Sequence, residues 1–326
     1  MPSSFSSTDA ARGRRTSLPR WVAVGVLTLA TFLVVTSEML PVGVLTPMAD
    51  GLDISSGAVG SSLTITGLVS AVTAPVVPRL LGDLDRRMVL AVAMVVLAIG
   101  NGLTTISDGF GALVLSRIVL GIGMGTVWGL ASAVATRLVE PRNIALAVSL
   151  AVSGVAMASV FGVPLGTFVG NAFGWRAAFG ALTAIALVLA AALLFALPKL
   201  RRPRTSGDGD DPGRRRPLAR PAVVTGMVVV ALLVSAHFAA YTYVRPALEE
   251  LPRMSANGIA LLLLVYGVFG LIGNFAAGAA AGRRPHRTVL LLAAGITIAI
   301  ATLAWFGTVA ATAGAAIALW GVSYGG

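Results

Sequence analysis

Two charged residues lie inside long apolar segments of the sequence. Glu38 is the only acidic residue deep within such a segment, and Arg117 lies within another. At 1.5 Å per helical residue, Glu38 lies ~25 Å beyond Trp21 and ~12 Å before the end of its segment near Thr46. Arg117 lies ~10 Å into a helix that starts near Phe110 and runs the opposite way. The two charges are therefore expected at similar depth.

A carboxyl group at this depth is costly and usually functional. Its charge state depends on burial and on nearby charges, so a carboxyl whose exposure changes can bind and release a proton. We therefore predict that Glu38, with Arg117 as its partner, couples a process to protons. The alternative is a static buried ion pair that joins two helices.

One face of the segment around Arg117 combines small residues with an aromatic ring. Arg117, Gly121, Met124, Gly125 and Trp128 share this face by helical spacing. Trp128 lies near the middle of the segment, where it could stack on a flat ligand. The alternatives are plain packing and an anchor at the membrane interface.

A second stripe consists of His237, Tyr241 and Arg245 at positions i, i+4 and i+8. Polar side chains along one face of a membrane helix indicate a cavity wall, and His237 is a second proton candidate. The alternatives are a hydrogen-bonded structural histidine and an arginine that reaches the membrane surface. Asn274 is a weaker candidate for the same cavity, and Asn101 is another polar candidate.

The sequence argues against an enzyme. An embedded enzyme needs paired acids, a metal cluster or an activated nucleophile. One deep acid, two histidines (His237 and His286) and no cysteine supply none of these. We predict no catalytic residues, no metal and no cofactor.

Composition assigns the chain to the membrane. Apolar residues make up 56% and charged residues 11%, against about 25% charged residues in soluble domains; the mean hydropathy is +0.89. A net charge of +11 could suggest nucleic acid, but arginine also collects in the cytoplasmic loops of membrane proteins. We expect the lipid bilayer, a small-molecule substrate and protons as partners, no nucleic acid, and a monomer.

Ten apolar segments approach the ~20 residues that a helix needs to cross a bilayer. An all-α membrane protein follows, with candidate spans at 21–46, 57–81, 88–106, 110–138, 142–171, 175–197, 221–246, 257–281, 288–307 and 309–326.

Arginine and lysine predict the orientation. With a cytoplasmic N-terminus, 20 of the 24 basic residues fall on the inner side and two, Arg176 and Arg253, on the outer side. Cytoplasmic loops collect such residues. We therefore predict a multi-pass protein of the cell inner membrane, with residues 1–20 as a disordered cytoplasmic tail.

A single long loop divides the spans. Residues 198–220 are rich in Pro, Gly, Asp and Arg, which is typical of a flexible linker and here a cytoplasmic one. Six spans precede it in an N-terminal half, 21–197, and four follow in a C-terminal half, 221–326. Six helices, a linker and a second set are typical of transporters built from two parallel halves. A complete second half would need two more spans, so we expect about 10 of 12 helices.

Several blocks resemble the drug:proton antiporter branch of the major facilitator superfamily, from about residue 20 onward. They are EMLPVGVLTPMADGLDIS at 38–55, SRIVLGIGMGTVWGLAS at 116–132, GVAMASVFGVPLGTFVGNAFGWR at 154–176, YTYVRP at 241–246 and LWGVSYG at 319–325. The last two are similar to blocks of pumps that export purine ribonucleosides. Gly82, Asp85, Arg86 and Arg87 resemble a shortened form of the signature between helices 2 and 3.

Small residues recur every four positions in two spans. The fifth carries Gly154, Ala158, Gly162, Gly166 and Gly170, and the eighth carries Gly270, Asn274, Gly278 and Gly282. Such residues let helices approach closely in lipid, and Pro164 is expected to bend the fifth span. The resemblance implies an antiporter motif in helix 5, which would face helix 8 across a seam between the halves.

The resemblance implies proton-coupled export of small molecules by alternating access, with Glu38 protonated from outside. Purine ribonucleosides and their analogues are the expected substrates. The alternatives are a multidrug or sugar exporter of the same branch, and a truncated remnant that does not transport.

Overall fold

A computed structural model describes residues 16–80, 82, 84–200, 221–282 and 284–325. Within these ranges the chain is helical and contains no strand. The α-helices are α1 Leu18–Gly43, α2 Leu45–Leu52, α3 Ser56–Leu80, α4 Arg86–Thr105, α5 Phe110–Leu138, α6 Ile144–Met157, α7 Val163–Phe173, α8 Trp175–Ala196, α9 Pro221–Tyr241, α10 Val244–Glu250, α11 Ala256–Ala281, α12 Pro285–Phe306 and α13 Ala310–Gly325.

The predicted all-α membrane architecture is confirmed. Over the described ranges, nine segments are long and apolar enough to cross a bilayer. They are α1, most of α3, α4, α5, the run Pro141–Phe173, α8, most of α9, α11 and α12. The tenth predicted span corresponds to α13, a helix of 16 residues.

Two predicted spans continue past the ends of their helices. Residues 21–46 were expected to form one helix, but α1 ends at Gly43, where the Val44 amide donates to the carbonyl of Pro41, and α2 follows. Residues 221–246 divide in the same way into α9 and the short α10. Apolar composition continues across both breaks, so hydropathy alone does not reveal them.

Successive membrane-crossing helices alternate in direction. We call the end of the bundle where α1 ends and α3 begins the distal end, and the opposite end the proximal end. The short helices α2 and α10 both lie at the distal end, where α10 packs against α2 and against α1.

The fifth span is interrupted by a π-helical turn. Residues Ala158–Gly162 form this turn between α6 and α7, and Pro164 follows in the first turn of α7. Proline has no N–H to donate to the preceding turn, which suits a widened turn just before it. Residues four apart drift by ~40° per step around an ideal helix, and a wider turn reduces that drift, which helps to keep the glycine stripe on one face.

Within the described ranges, buried apolar side chains form two clusters. The first draws on α1 to α6 and α8. The second draws on α9 to α13, on Leu63 of α3, on Ala158 and Val163 of the fifth span, and on one face of α1 at Val35, Met39 and Val42. Helix α1 therefore belongs to both cores. The division at the linker stays a prediction, because residues 201–220 lie outside the described ranges, as does the tail up to residue 15.

Candidate functional site

A cavity of about 700 Å³ lies between α1, α3 and α9. Glu38 of α1 lines it, and so do Ser61 and Thr64 of α3, Phe238 of α9 and Thr242 in the turn after α9. The Glu38 side chain is half-buried. The cavity thus combines an acid, several hydroxyl groups and an aromatic ring at the boundary between the first eight helices and the later ones.

Arg117 of α5 lies at the same level of the bundle as Glu38, but it contacts a different side of α1. Its Nη1 donates to the Ser37 carbonyl oxygen at 3.5 Å, and its guanidinium lies 5.1 Å from the centre of the Phe179 ring. The side chain is fully buried, and its Nε and Nη2 atoms have no hydrogen-bond partner among the described residues. Buried donors in folded proteins are nearly always paired, so this arginine is held in an unusually incomplete site.

No salt bridge between described residues joins Glu38 to Arg117. Adjacent residues of a helix point ~100° apart, so Ser37 faces α5 while Glu38 faces α3 and α9. Asn101 completes the environment of Ser37, since its Nδ2 donates to Ser37 Oγ at 2.9 Å. Asn101 Oδ1 is buried and accepts no hydrogen bond from the part of the chain that the structure describes. The depths estimated from the sequence placed Glu38 and Arg117 at similar levels in the membrane. They did not predict which way each side chain points around its helix.

His237 lies in a cluster of aromatic rings behind the cavity wall. Its Nδ1 accepts a hydrogen bond from Trp320 Nε1 at 3.0 Å. The Tyr324 ring stacks on the imidazole with centres 3.3 Å apart, and Tyr241 stacks at 5.1 Å. Phe238 contacts both the imidazole and the Tyr324 ring, and it also lines the cavity. The structure therefore surrounds His237 with rings, next to the cavity rather than on its surface.

Arg245 lies away from this cluster, at the distal end. It is 4% exposed. Its Nε donates to Glu249 Oε1 at 2.8 Å, and its Nη1 donates to Asn171 Oδ1 at 3.2 Å and to the carbonyl oxygen of Gly43. The predicted stripe His237, Tyr241 and Arg245 therefore divides into an aromatic part and a polar part.

The remaining cavity candidates lie elsewhere. Trp128 is partly buried and packs against both core clusters. Asn274 is exposed on α11 and is absent from the lining of the cavity. Two residues that do line the cavity, Phe238 of α9 and Thr242 just after it, lie one position along the chain from His237 and Tyr241 of the predicted stripe.

The glycine stripe of the fifth span packs against α1. A Cβ at Gly154 would lie 2.5 Å from the Thr28 carbonyl oxygen, and one at Gly166 would lie 2.7 Å from a methyl carbon of Leu40. The same span contacts α11 on a different face, where Gly267 packs on the backbone of Ser159. The fifth and eighth spans do meet, as the resemblance implied. They meet through Gly267, a glycine that the four-residue pattern did not include.

The eighth-span stripe is less closely packed. A Cβ at Gly270 would make ordinary contact with Gly321 of α13 at 3.5 Å, and one at Gly278 would meet no described atom within 4 Å. Among the described residues, this stripe therefore does not create the close approach to the fifth span.

The loop between α3 and α4 is fastened to the end of α8. Asp85 accepts hydrogen bonds from the amides of Arg87 at 3.1 Å and Leu200 at 2.9 Å. Arg87 Nη1 donates to the Leu194 carbonyl oxygen at 3.1 Å, and Arg86 Nη2 donates to that of Gly82 at 3.0 Å. Gly82 has a φ of +42°, which favours glycine. These four residues hold the proximal ends of α4 and α8 together.

Sequence reasoning missed several residues that the structure brings to the site. Ser61 and Thr64 line the cavity, and Thr46, Asn171 and Glu249 surround Arg245. One signal was available, since Glu249 follows Arg245 at i+4, a spacing that allows an ion pair on a helix. The others are common residue types whose direction depends on tertiary packing.

Comparisons with known proteins agree with this architecture. Residues 27–326 match the Major Facilitator Superfamily. The purine ribonucleoside efflux pump NepI of Escherichia coli O6:K15:H31 is 31% identical over 258 residues, which cover 78% of this chain and 64% of the pump. The same-named pump of Shigella sonnei is 32% identical with the same coverage. The chain thus spans less than two thirds of the length of these relatives.

Solved structures share the fold. A bacterial homologue of the human lysosomal transporter Spinster, inward-facing and unoccupied, gives a TM-score of 0.69 at 20% identity over 95% of this chain and 74% of that one. The D-xylose–proton symporter gives 0.70 at 16% identity over 94% and 80%.

Fold and sequence match together define one class of multi-pass membrane protein. The chain belongs to the Major Facilitator Superfamily.

Proposed function

We propose that the complete protein exports small molecules by alternating access and that proton binding at Glu38 drives it. The observation that carries the proposal is Glu38 itself, a membrane acid that lines a 700 Å³ cavity between α1, α3 and α9. A carboxyl on a cavity wall between two helix sets changes its exposure whenever the sets move. Protons would enter from the distal end, which faces outward according to the distribution of arginine and lysine.

The proposed cargo is a purine ribonucleoside or an analogue. The support is the name of the relatives at 31–32% identity and the chemistry of the cavity. Hydroxyl groups of Ser61, Thr64 and Thr242 could bond to ribose, and the ring of Phe238 offers a stacking face. Aromatic faces contribute about 1–3 kcal/mol per stacked base in proteins that bind nucleic acid.

Two alternative functions are a different exporter and a protein that does not transport. A multidrug or sugar exporter of the same branch would keep the fold and the acid but transport other molecules. A non-transporting remnant would fold and leave solute distribution unchanged.

The test expresses the complete open reading frame in bacteria that lack their own nucleoside exporters. We expect resistance to toxic purine nucleosides and increased release of inosine or guanosine. Resistance to unrelated drugs with unchanged nucleoside release would favour a multidrug exporter. An inserted protein that changes neither would favour the remnant.

A further inference from the structure

Three buried polar residues converge on one turn of α1. Asn101 of α4 donates through Nδ2 to Ser37 Oγ at 2.9 Å, and Arg117 of α5 donates through Nη1 to the Ser37 carbonyl oxygen at 3.5 Å. All three residues are fully buried, and none of them lines the Glu38 cavity. We call these three residues the Ser37 site.

Close packing of α4 against α5 fixes the level of this site. A Cβ at Gly100 would lie 2.7 Å from the Leu120 amide nitrogen, so only glycine allows the two backbones to come this close. One turn further along α4, the Thr104 hydroxyl donates to Ser116 Oγ at 3.0 Å. These two contacts lie on either side of the Ser37 site and hold its α4 and α5 side chains together.

The Ser37 site contains a positive charge without a negative partner. Arg117 forms no salt bridge with any described residue, and the ring of Phe179 lies 5.1 Å from its guanidinium. Its Nε and Nη2 atoms donate to no described residue. A guanidinium remains charged in proteins, and a buried charge without compensation is strongly unfavourable. A water molecule would satisfy the donors but would leave the charge uncompensated.

The Asn101 amide also favours an anion over water. Asn101 Oδ1 accepts no hydrogen bond, and the Ser37 hydroxyl has no acceptor, among the described residues. A rotation of the amide by 180° exchanges its two ends, so that Ser37 donates to Oδ1 and Nδ2 is released. Every group that is then left without a partner in the site is an N–H donor. Donors beside a fixed positive charge are suited to an anion.

Buried hydroxyl groups lead from the Ser37 site towards the distal end. Ser116 directly precedes Arg117 and accepts from Thr104, and Ser107, in the turn after α4, donates to the Thr104 carbonyl oxygen at 2.8 Å. Ser107, Thr104 and Ser116 are all buried. These hydroxyl groups offer polar contacts to an ion that passes between α4 and α5, and their burial restricts the path to a small ion.

We propose that Ser37, Asn101 and Arg117 form a binding site for a small monovalent anion such as chloride. The anion contacts Nε and Nη2 of Arg117 and the Asn101 amide, compensates the guanidinium, and joins α1, α4 and α5. It is a resident of the first core, so the site is independent of the cargo and of proton coupling at Glu38.

Thermal unfolding of the complete protein in a neutral detergent tests the site. Sodium chloride is titrated against sodium gluconate at constant ionic strength, and sodium bromide replaces chloride in a parallel series. An anion that binds only the folded protein raises the unfolding midpoint in proportion to the logarithm of its concentration. We expect a rise of about 2–5 °C at 100 times the dissociation constant, with chloride and with bromide.

Two variants of the site give different results. R117Q should abolish the dependence on chloride. Without chloride its midpoint should equal or exceed that of the unmodified protein, because an uncompensated buried charge has been removed. N101A should raise the chloride concentration for half of the effect about tenfold, the result of one lost hydrogen bond to a charged group. N101A keeps the charge, so it tests the site even if R117Q folds poorly.

R176Q is the matched control. Arg176 also donates to a backbone carbonyl oxygen, that of Ser107 at 3.0 Å, and its guanidinium lies 4.2 Å from the centre of the Trp175 ring. Arg176 is exposed, however, so water and salt already solvate its charge. R176Q should therefore keep the full response to chloride.

A midpoint that does not depend on chloride in the unmodified protein would overturn the anion site and favour a water molecule in its place. An equal chloride response in R117Q, N101A and R176Q would also overturn it, because the response would then be a general effect of salt. These measurements need no transport, so a protein that fails to release nucleosides would reject the proposed cargo and leave the anion site standing.

Discussion

Glu38 and Ser37 are neighbours in sequence with different surroundings. Glu38 lines a cavity with hydroxyl groups, whereas the Ser37 carbonyl oxygen accepts the hydrogen bond from the buried Arg117. This geometry weakens the prediction of a static ion pair and leaves Glu38 as the candidate proton carrier. Two nitrogen atoms of Arg117 have no partner within the described ranges, and water or a moving acceptor could satisfy them.

Replacing Glu38 with Gln tests the proton directly. The variant keeps size and hydrogen bonding but cannot titrate, so we expect normal membrane levels and substrate binding, loss of efflux against a gradient, and residual exchange that no longer depends on pH. The measurement is proton-gradient-driven efflux from proteoliposomes, normalised to inserted protein. Glu250→Gln, at an exposed acid of the distal end, is the control and should retain coupled efflux.

Full gradient-driven efflux by a well-folded Glu38→Gln variant would reject Glu38 as the carrier and direct attention to His237. A different pattern would support static pairing. Protein levels would then fall, because a buried arginine would lose its partner, at a cost of about 3–5 kcal/mol. Adding Arg117→Gln would restore both folding and pH-dependent transport.

At the residue scale the sequence predicts which side chains are unusual better than it predicts their contacts. Glu38, Arg117, His237 and Arg245 were identified from polarity inside apolar segments, and all four occupy buried or half-buried sites. Their partners were not predicted, because they depend on the direction of each side chain around its helix.

At the scale of elements, hydropathy located the helices closely. The span predicted at 110–138 coincides with α5, and the one at 57–81 differs from α3 by one residue at each end. The breaks after Gly43 and Tyr241 were not predicted, because they depend on local backbone hydrogen bonds rather than on apolar length. Glycine spacing predicted close helix contacts, but the partner of each stripe is decided by packing.

Two glycines of α11 provide a matched pair. A Cβ at Gly267 would overlap the Ser159 carbonyl oxygen, whereas one at Gly278 would meet no atom of the described residues within 4 Å. We expect Gly267→Ala to destabilise the protein by about 1–3 kcal/mol, the usual cost of overpacking. Gly278→Ala should leave stability unchanged or raise it slightly. Thermal unfolding in detergent measures both variants. Equal unfolding midpoints would show that the contact between α11 and the fifth span accommodates a methyl group without loss of stability.

At the scale of the whole molecule, the orientation stays a prediction based on charge. Cysteines at Ser206 in the linker and at Asp108 test it, with a membrane-impermeant thiol reagent on intact cells. We expect labelling at position 108 only, and labelling at both positions after permeabilisation. Asp108 is exposed and suits this test, whereas the neighbouring Ser107 is buried. Labelling at 206 and not at 108 would invert the orientation.

The sharing of α1 between the two buried clusters has a consequence for biosynthesis. During insertion, α1 can pack with α4, α5 and α8 as soon as they leave the translocon, but the cluster that contains its Val35, Met39 and Val42 stays incomplete until the later helices are made. The early helices would then serve as a template on which the later ones assemble. Co-expression of residues 1–200 and 201–326 as separate chains should therefore protect the second from membrane proteolysis, while the second alone is degraded.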